Sequence, residues 1–310
     1  AAFPRAARAH YWLGNAYLAR DQLDAALKAY AKAIERDAAP PSAALEVRFQ
    51  RAWALYQEGR YAKAGTQFRA LIEDAPQSDR GREALFWGGD AAYQQAQYDR
   101  ARTLLRRFLK TDPAPRLRVG AQYALAWTHF KQRRFAAAAR RFRDVVQADD
   151  ALPDADIPYR QDARLRLADC YFALKRYDDA LTAYDRVRGT GTDYALYQAG
   201  KALYFSDRPA KALTRLQRFV ERNPDSSFRS DALYRIGDIH FQQQRYPEAR
   251  AAFQRLLEGA PDGARAPSAQ YAIGDAYYNA GQMEDAVAAY RAVLETYPQS
   301  PVANEAASSL

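Results

Sequence analysis

Cysteine is nearly missing from these 310 residues: Cys170 stands alone, so no internal disulfide can form. Histidine is almost as scarce. His10, His129 and His240 have no cysteine or carboxylate spaced to complete a metal site. There is no glycine-rich phosphate loop and no nucleophile elbow. The sequence therefore points away from catalysis, and no cofactor or metal is expected. No stretch approaches the ~20 apolar residues that a bilayer-spanning helix needs. No segment alternates apolar and polar as a half-buried strand does. Hydrophobic residues at 48% and charged residues at 27% are ordinary for a folded chain. A start at Ala1 without a signal peptide suggests trimming, and the stretch 300–310 reads as the start of a truncated or capping helix.

What the chain has is a repeat. Eight times a small residue is followed twelve positions later by alanine: Gly14 and Ala26, Ala52 and Ala64, Gly89 and Ala101, Ala126 and Ala138. Ala168 and Ala180, Gly200 and Ala212, Gly237 and Ala249, and Gly274 and Ala286 continue the series. Successive anchors are 38, 37, 37, 42, 32, 37 and 37 apart. A period of this size marks a solenoid, in which each unit buries its apolar face against its neighbours.

Each unit reads as two helices. In the last, Ser268 to Asn279 carries Tyr271, Gly274, Tyr277 and Tyr278 at helical spacing, and Gly281 supplies a break. Glu284 to Glu295 then carries Ala286, Val287, Tyr290, Val293 and Leu294. Tyr297-Pro298 ends the helix, because proline disfavours helical backbone in the residue before it. The fold class is all-α.

The pattern resembles the tetratricopeptide repeat family. Gly274, Tyr277, Gly281, Ala286, Tyr290, Val293 and Pro298 carry the resemblance completely, and unit seven differs with His240 and Gln244 at two of those places. The resemblance implies a right-handed α-solenoid of about eight helix-turn-helix units. They fall near 8–40, 46–77, 83–114, 120–150, 162–189, 194–225, 231–262 and 268–299, in a single array over 1–310. Each unit is about three residues longer than the family period of 34, the extra residues falling in the linker after the proline, and those longer linkers are similar to the ones of bacterial cell-envelope members. Those are the Tol–Pal-associated cell-division coordinator and the outer-membrane assembly lipoprotein. That likeness favours the periplasm or cell envelope, with the cytoplasm as the alternative.

The middle is irregular over 148–192. Extra residues lie in Ala148 to Arg160, and a deficit lies at Gly189-Thr190-Gly191, where the second helix of unit five stops early. Both a tolerated insertion beside a deletion and a joint with altered pitch fit this. Cys170 takes the place of Ala16, Ala54, Ala91, Ala202 and Ala276 and is expected to be a buried packing residue. His129 and His240 fall where other units have Tyr17, Tyr171 and Tyr277, as core groups do.

In the tetratricopeptide family the first helix of each unit lines a concave groove. By that resemblance the candidate peptide-binding residues lie three before, one after and four after each anchor. They are Tyr11, Phe49, Trp53, Tyr56, Phe86, Asp90, Tyr93, Tyr123, Trp127, Phe130, Tyr197, Tyr204, Tyr234, Asp238, Tyr271, Asp275 and Tyr278. Glu46, Glu83, Asp162 and Asp231 stand six before an anchor. The result is a ladder of aromatics and carboxylates, which also serves packing between units. The net charge is nevertheless +9, carried by 38 arginines against 8 lysines. Runs such as Arg102, Arg106 and Arg107 or Arg215, Arg218 and Arg222 fall on second helices. They read as a solvated outer face, separate from the aromatics, so nucleic acid is not the favoured partner.

The expected function is a non-catalytic scaffold that takes a protein or peptide segment bearing cationic and apolar residues. Self-assembly within a larger complex and anionic-surface binding through the arginine face are the alternatives. Oligomeric state is not legible.

Overall fold

The anchor spacing shows its physical meaning in how the two helices of a unit meet. In a computed structural model, which describes residues 5–20, 22–35, 41–148 and 159–310, the anchor of the first helix faces the side chain sixteen positions on, in the second. A Cβ placed on Gly274 would lie 2.5 Å from the ring of Tyr290, and one on Gly200 would lie 2.5 Å from Leu216. Where the anchor is Ala52 or Ala126, the partner rings Phe68 and Phe142 are fully buried. A small residue there lets two helices approach closely enough to bury a large ring between them.

The chain divides into two compact units, Ala1–Cys170 and Tyr171–Leu310. The first contains α1 (Arg5–Leu18), α2 (Leu23–Glu35), α3 (Pro41–Gln57), α4 (Tyr61–Asp74), α5 (Asp79–Gln94), α6 (Tyr98–Leu109), α7 (Pro115–Lys131) and α8 (Phe135–Val146). The division falls inside α9 (Arg160–Ala173). The second continues with α10 (Tyr177–Tyr184), α11 (Thr192–Phe205), α12 (Pro209–Arg222), α13 (Arg229–Gln242), α14 (Tyr246–Gly259), α15 (Ala266–Asn279), α16 (Met283–Thr296) and α17 (Ala303–Ser308). No strand occurs among the described residues. The expected helices over 268–279 and 284–295 are α15 and α16, each within two residues.

Local chemistry sets the boundaries. The Ser78 hydroxyl accepts a hydrogen bond from the Gly81 N–H at 2.9 Å and caps α5. Pro115 and Pro209 sit in first turns, where no backbone donor is lost. In the seven hairpins from α3 onward, the turn is left-handed seven residues after the anchor. Gly59 and Gly281 take that conformation without strain, while Ala96, Arg133, Lys175, Asp207 and Gln244 hold it as L-residues. The expected insertion at Ala148 to Arg160 lies largely outside the described residues. Its companion deficit does not: α10 has only 8 residues, whereas α12, α14 and α16 have 14 each.

In the first unit α3 touches α5 and α5 touches α7, a closeness that no pair of second helices matches among the described residues. First helices therefore lie on the tighter side of the bend, and their outward face forms its inner wall. The core beneath is apolar: Phe49, Phe68, Leu71, Leu105 and Leu125 in the first unit, and Leu216, Leu233, Phe253 and Leu256 in the second. Cys170 is fully buried and free, and burial pushes its thiol up to about 12.

His129 is also core, at 3% exposure, and its Nδ1 has no hydrogen-bond partner among the described residues. Burial, followed by the charges of Arg106, Arg102, Arg134 and Arg141, lowers its pKa to about 4. The unfolded chain takes up that proton near 6.5, so stability conferred by neutral His129 is present above pH 6.5 and is lost as pH falls toward 4. Moving from pH 7 to pH 5 is expected to cost on the order of 1–2 kcal/mol from this residue. His129→Tyr, which places there the residue of Tyr17, Tyr171 and Tyr277, should flatten that part of the profile. Denaturant midpoints for both proteins at the two pH values test this; parallel losses would exclude His129 as the source.

Candidate functional site

Two of the three candidate columns close the hairpins. Residues three before the anchor pack on second-helix rings: Phe86 on Phe108 at 5.4 Å, Tyr123 on Phe142 at 6.1 Å, Tyr234 on Phe253 at 5.4 Å and Tyr271 on Tyr290 at 5.4 Å between centroids. Phe49 on Phe68 and Tyr197 on Phe219 follow the same rule and are themselves buried. Tyr11 meets Tyr30 at 6.4 Å. Residues four after the anchor lean on the first residue of the second helix: Tyr56 on Tyr61, Tyr93 on Tyr98 and Phe130 on Phe135, at 5.4 to 5.8 Å. Tyr204 packs on Phe205, and Tyr278 stands 56% exposed.

The column one after the anchor is different. Trp53 is half-buried, stacks on Tyr56 with an interplanar angle of 8°, and meets Trp87 of α5 at 4.2 Å. Tyr56 lies 5.3 Å from the same Trp87. The three rings form a cluster shared by α3 and α5. Trp87 was not among the candidates because it stands two before its anchor, a column the groove pattern leaves out. Trp12, Arg166 and Arg235 occupy that column elsewhere, so its prominent side chains were the available signal. Trp53 also lines a cavity of about 620 Å³ between α1 and α3, together with Asn15, Leu18, Gln50, Gln57 and Glu58. Trp127 is held by Tyr123, Phe130 and Phe142, with the Arg166 guanidinium over it at 5.2 Å.

The carboxylates divide into two classes. Glu46 accepts from Arg80 at 2.5 Å, and Arg80 also pairs with Glu83. Burial works to raise the Glu46 pKa, but hydrogen bonds from Arg80, Gln50 and Tyr11 hold it below the usual carboxylate value. Arg166 bridges Asp162 at 3.2 Å and Asp169 at 2.9 Å, and Tyr123 donates to Asp162 at 2.6 Å. In the second unit Arg235 holds Asp238, and Arg265 holds Asp231, both at 2.6 Å. Asp90 and Asp275 have no cationic partner among the described residues. The Tyr56 hydroxyl and the Gln94 amide donate to Asp90, and the Tyr290 hydroxyl donates to Asp275 at 2.7 Å. Burial raises the Asp275 pKa. The phenol of Tyr56 is raised as well, by burial first and then by its bond to Asp90.

The expected separation of arginines from aromatics does not hold on this face. Arg80 lies over Phe49 at 4.6 Å, Arg235 over Tyr204 at 4.6 Å and Arg265 over Tyr234 at 5.2 Å. These arginines stand nine or two before an anchor, so Arg80 and Arg235 ride on first helices and Arg265 caps the start of one, and all three neutralise the acids beside them. Among the described residues no helix is long and apolar enough to cross a membrane.

Comparison with known proteins agrees with this architecture. Tetratricopeptide repeat profiles match residues 1–44, 16–79, 123–195 and 197–264, and a second such profile matches 83–114 and 268–300. No curated protein matches. Among solved structures, the C-terminal part of a TPR repeat-containing protein from Cytophaga hutchinsonii aligns with a TM-score of 0.66 at 17% identity, over 84% of this chain and 99% of that one. A tetratricopeptide repeat protein from Parabacteroides merdae gives 0.53 at 11% identity, over 88% and 99%. The apo form of RapI gives 0.52 at 10% identity, over 94% and 97%. At these identities the likeness is one of fold. The narrower resemblance to cell-envelope members finds no support in these matches. The profiles cover more than half of the residues, and the chain belongs to the tetratricopeptide repeat family.

Proposed function

We propose that this chain is a non-catalytic scaffold that binds a peptide segment of a partner protein on the first-helix face of its first unit. Tetratricopeptide repeats generally mediate protein–protein interaction. The observation that carries the reading further is Asp90. It is a carboxylate without a cation, on the same face as the Trp53, Tyr56 and Trp87 cluster, while Glu46, Glu83, Asp162 and Asp169 each already hold an arginine. A lysine or arginine entering there gains an ion pair and aromatic faces to lie against, and its apolar neighbours fit the cavity beside Trp53. The segment therefore carries Lys or Arg among apolar residues.

Selection of displayed random peptides on the immobilised chain tests this without knowledge of the natural partner. Enriched sequences should share one basic residue flanked by aliphatic or aromatic ones. Enrichment of acidic sequences, or winners that bind Trp53→Ala as tightly as the parent, would overturn the reading.

A further inference from the structure

The early stop of α10 leaves the next second helix without a wall. In the first unit, α6 presents Arg100, Leu104 and Arg107 to Arg69, Ile72 and Glu73 of α4, and the groove between them holds only about 180 Å³. Counted from their anchors, those α6 positions are eleven, fifteen and eighteen. The same columns in α12 are Lys211, Arg215 and Arg218. The facing α4 positions, seventeen, twenty and twenty-one, correspond to Asp185, Arg188 and Gly189, which lie beyond the end of α10. Val187 turns inward and is buried, while Arg188, Gly189 and Thr190 are exposed and off the helical path.

A cavity of about 530 Å³ lies along α12 at these columns. Leu196, Leu203 and Phe219 form its apolar floor. Lys211, Arg218 and Arg222 rim it, and none of the three has an ion pair among the described residues. Arg215 is tied to Asp185, yet its Nε is buried with no acceptor among the described residues. Along α4 the same columns, at Ala62, Lys63, Thr66 and Gln67, carry a smaller cavity of about 430 Å³, and there Leu27 of the preceding second helix α2 supplies a wall, whereas no residue of α10 lines the cavity along α12.

We propose that this cavity is a second docking site, which takes a short amphipathic helix of a partner protein in place of the missing turns of α10. The helix lays aliphatic side chains on Leu196, Leu203 and Phe219 and sets Asp or Glu against Lys211, Arg218 and Arg222. The charge is opposite to that preferred at Asp90, and the residues are separate from those of the first-helix face. A shared helical groove explains the floor, and charge complementarity sets the sign of the flanks.

The probe is a fluorescein-labelled, stapled short helix with a leucine stripe flanked by glutamates, titrated by anisotropy into the full chain. It should bind about tenfold or more tighter than its lysine-flanked counterpart and weaken as salt is raised. Arg218→Glu combined with Arg222→Glu should weaken it about tenfold or more. So should Ala210→Trp, which fills the cavity from an exposed position. All are surface changes, and unaltered melting certifies the fold. Asp90→Asn and Trp53→Ala should leave this affinity unchanged, so failure here is distinguishable from failure of the first-helix reading. Equal binding of both peptides, or insensitivity to Ala210→Trp, would overturn the proposal. Binding of dodecanoate at the cavity without binding of the helix would overturn it too, assigning the site to a small anionic amphiphile.

Discussion

Replacing Gly237 by alanine is expected to lower the melting temperature of the second unit by about 4–8 °C, the equivalent of roughly 2 kcal/mol. An added Cβ would lie 2.6 Å from Cζ of Phe253 and closer still to another atom of that ring. Phe253 is 2% exposed and packed in the core with Leu233 and Leu256, so it cannot swing away. Helix propensity alone runs the other way, since alanine is favoured over glycine inside a helix by about 1 kcal/mol. Gly65→Ala isolates that contribution. Its nearest contact would be Gln95 Nε2 at 3.5 Å, and it should stabilise slightly. Shrinking the partner, in Gly237→Ala with Phe253→Leu, should recover part of the loss. Unchanged melting of Gly237→Ala would show that the anchor does not set the distance between α13 and α14.

Trp53→Ala is expected to reduce both peptide affinity, by about tenfold or more, and stability, by roughly 2 kcal/mol. The two losses have separate causes. The indole braces Trp87 across neighbouring hairpins, and it also walls the cavity beside Asn15 and Gln50. Affinity and melting temperature therefore need to be measured on the same preparations, with peptides obtained by selection. A fall in stability with unchanged affinity would leave Trp53 as a brace alone and remove it from the binding surface.

The repeat was legible because its geometry is rigid. Gly200 and Leu216 or Gly274 and Tyr290 sit sixteen apart wherever two helices must close on a large side chain, and no surrounding context is needed to see it. The early end of α10 was legible for a similar reason, since Gly189 and Gly191 interrupt the helical pattern. Its consequence, the cavity along α12, was not, because a deletion in one unit is felt on the surface of the next. The groove was only partly legible. Column counting places Phe86, Tyr123 and Tyr93 on first helices, but it cannot show that Phe108, Phe142 and Tyr98 already pack against them. Nor does it pair Arg80 with Glu46 or Arg166 with Asp162, since those contacts join residues 34 and 4 apart. Asp90 looked like one carboxylate among many, and only its neighbours separate it from the rest.

That separation is the most direct test. Asp90 and Glu83 lie on α5, seven residues apart, so they share a helix and a face. One lacks a cationic partner, and the other pairs with Arg80. The affinity of a selected basic-apolar peptide should be measured for the parent chain, Asp90→Asn and Glu83→Gln at one fixed salt concentration. The account predicts that Asp90→Asn weakens binding about tenfold or more while Glu83→Gln changes it by less than about twofold. Equal effects of the two substitutions, or none from Asp90→Asn, would contradict it.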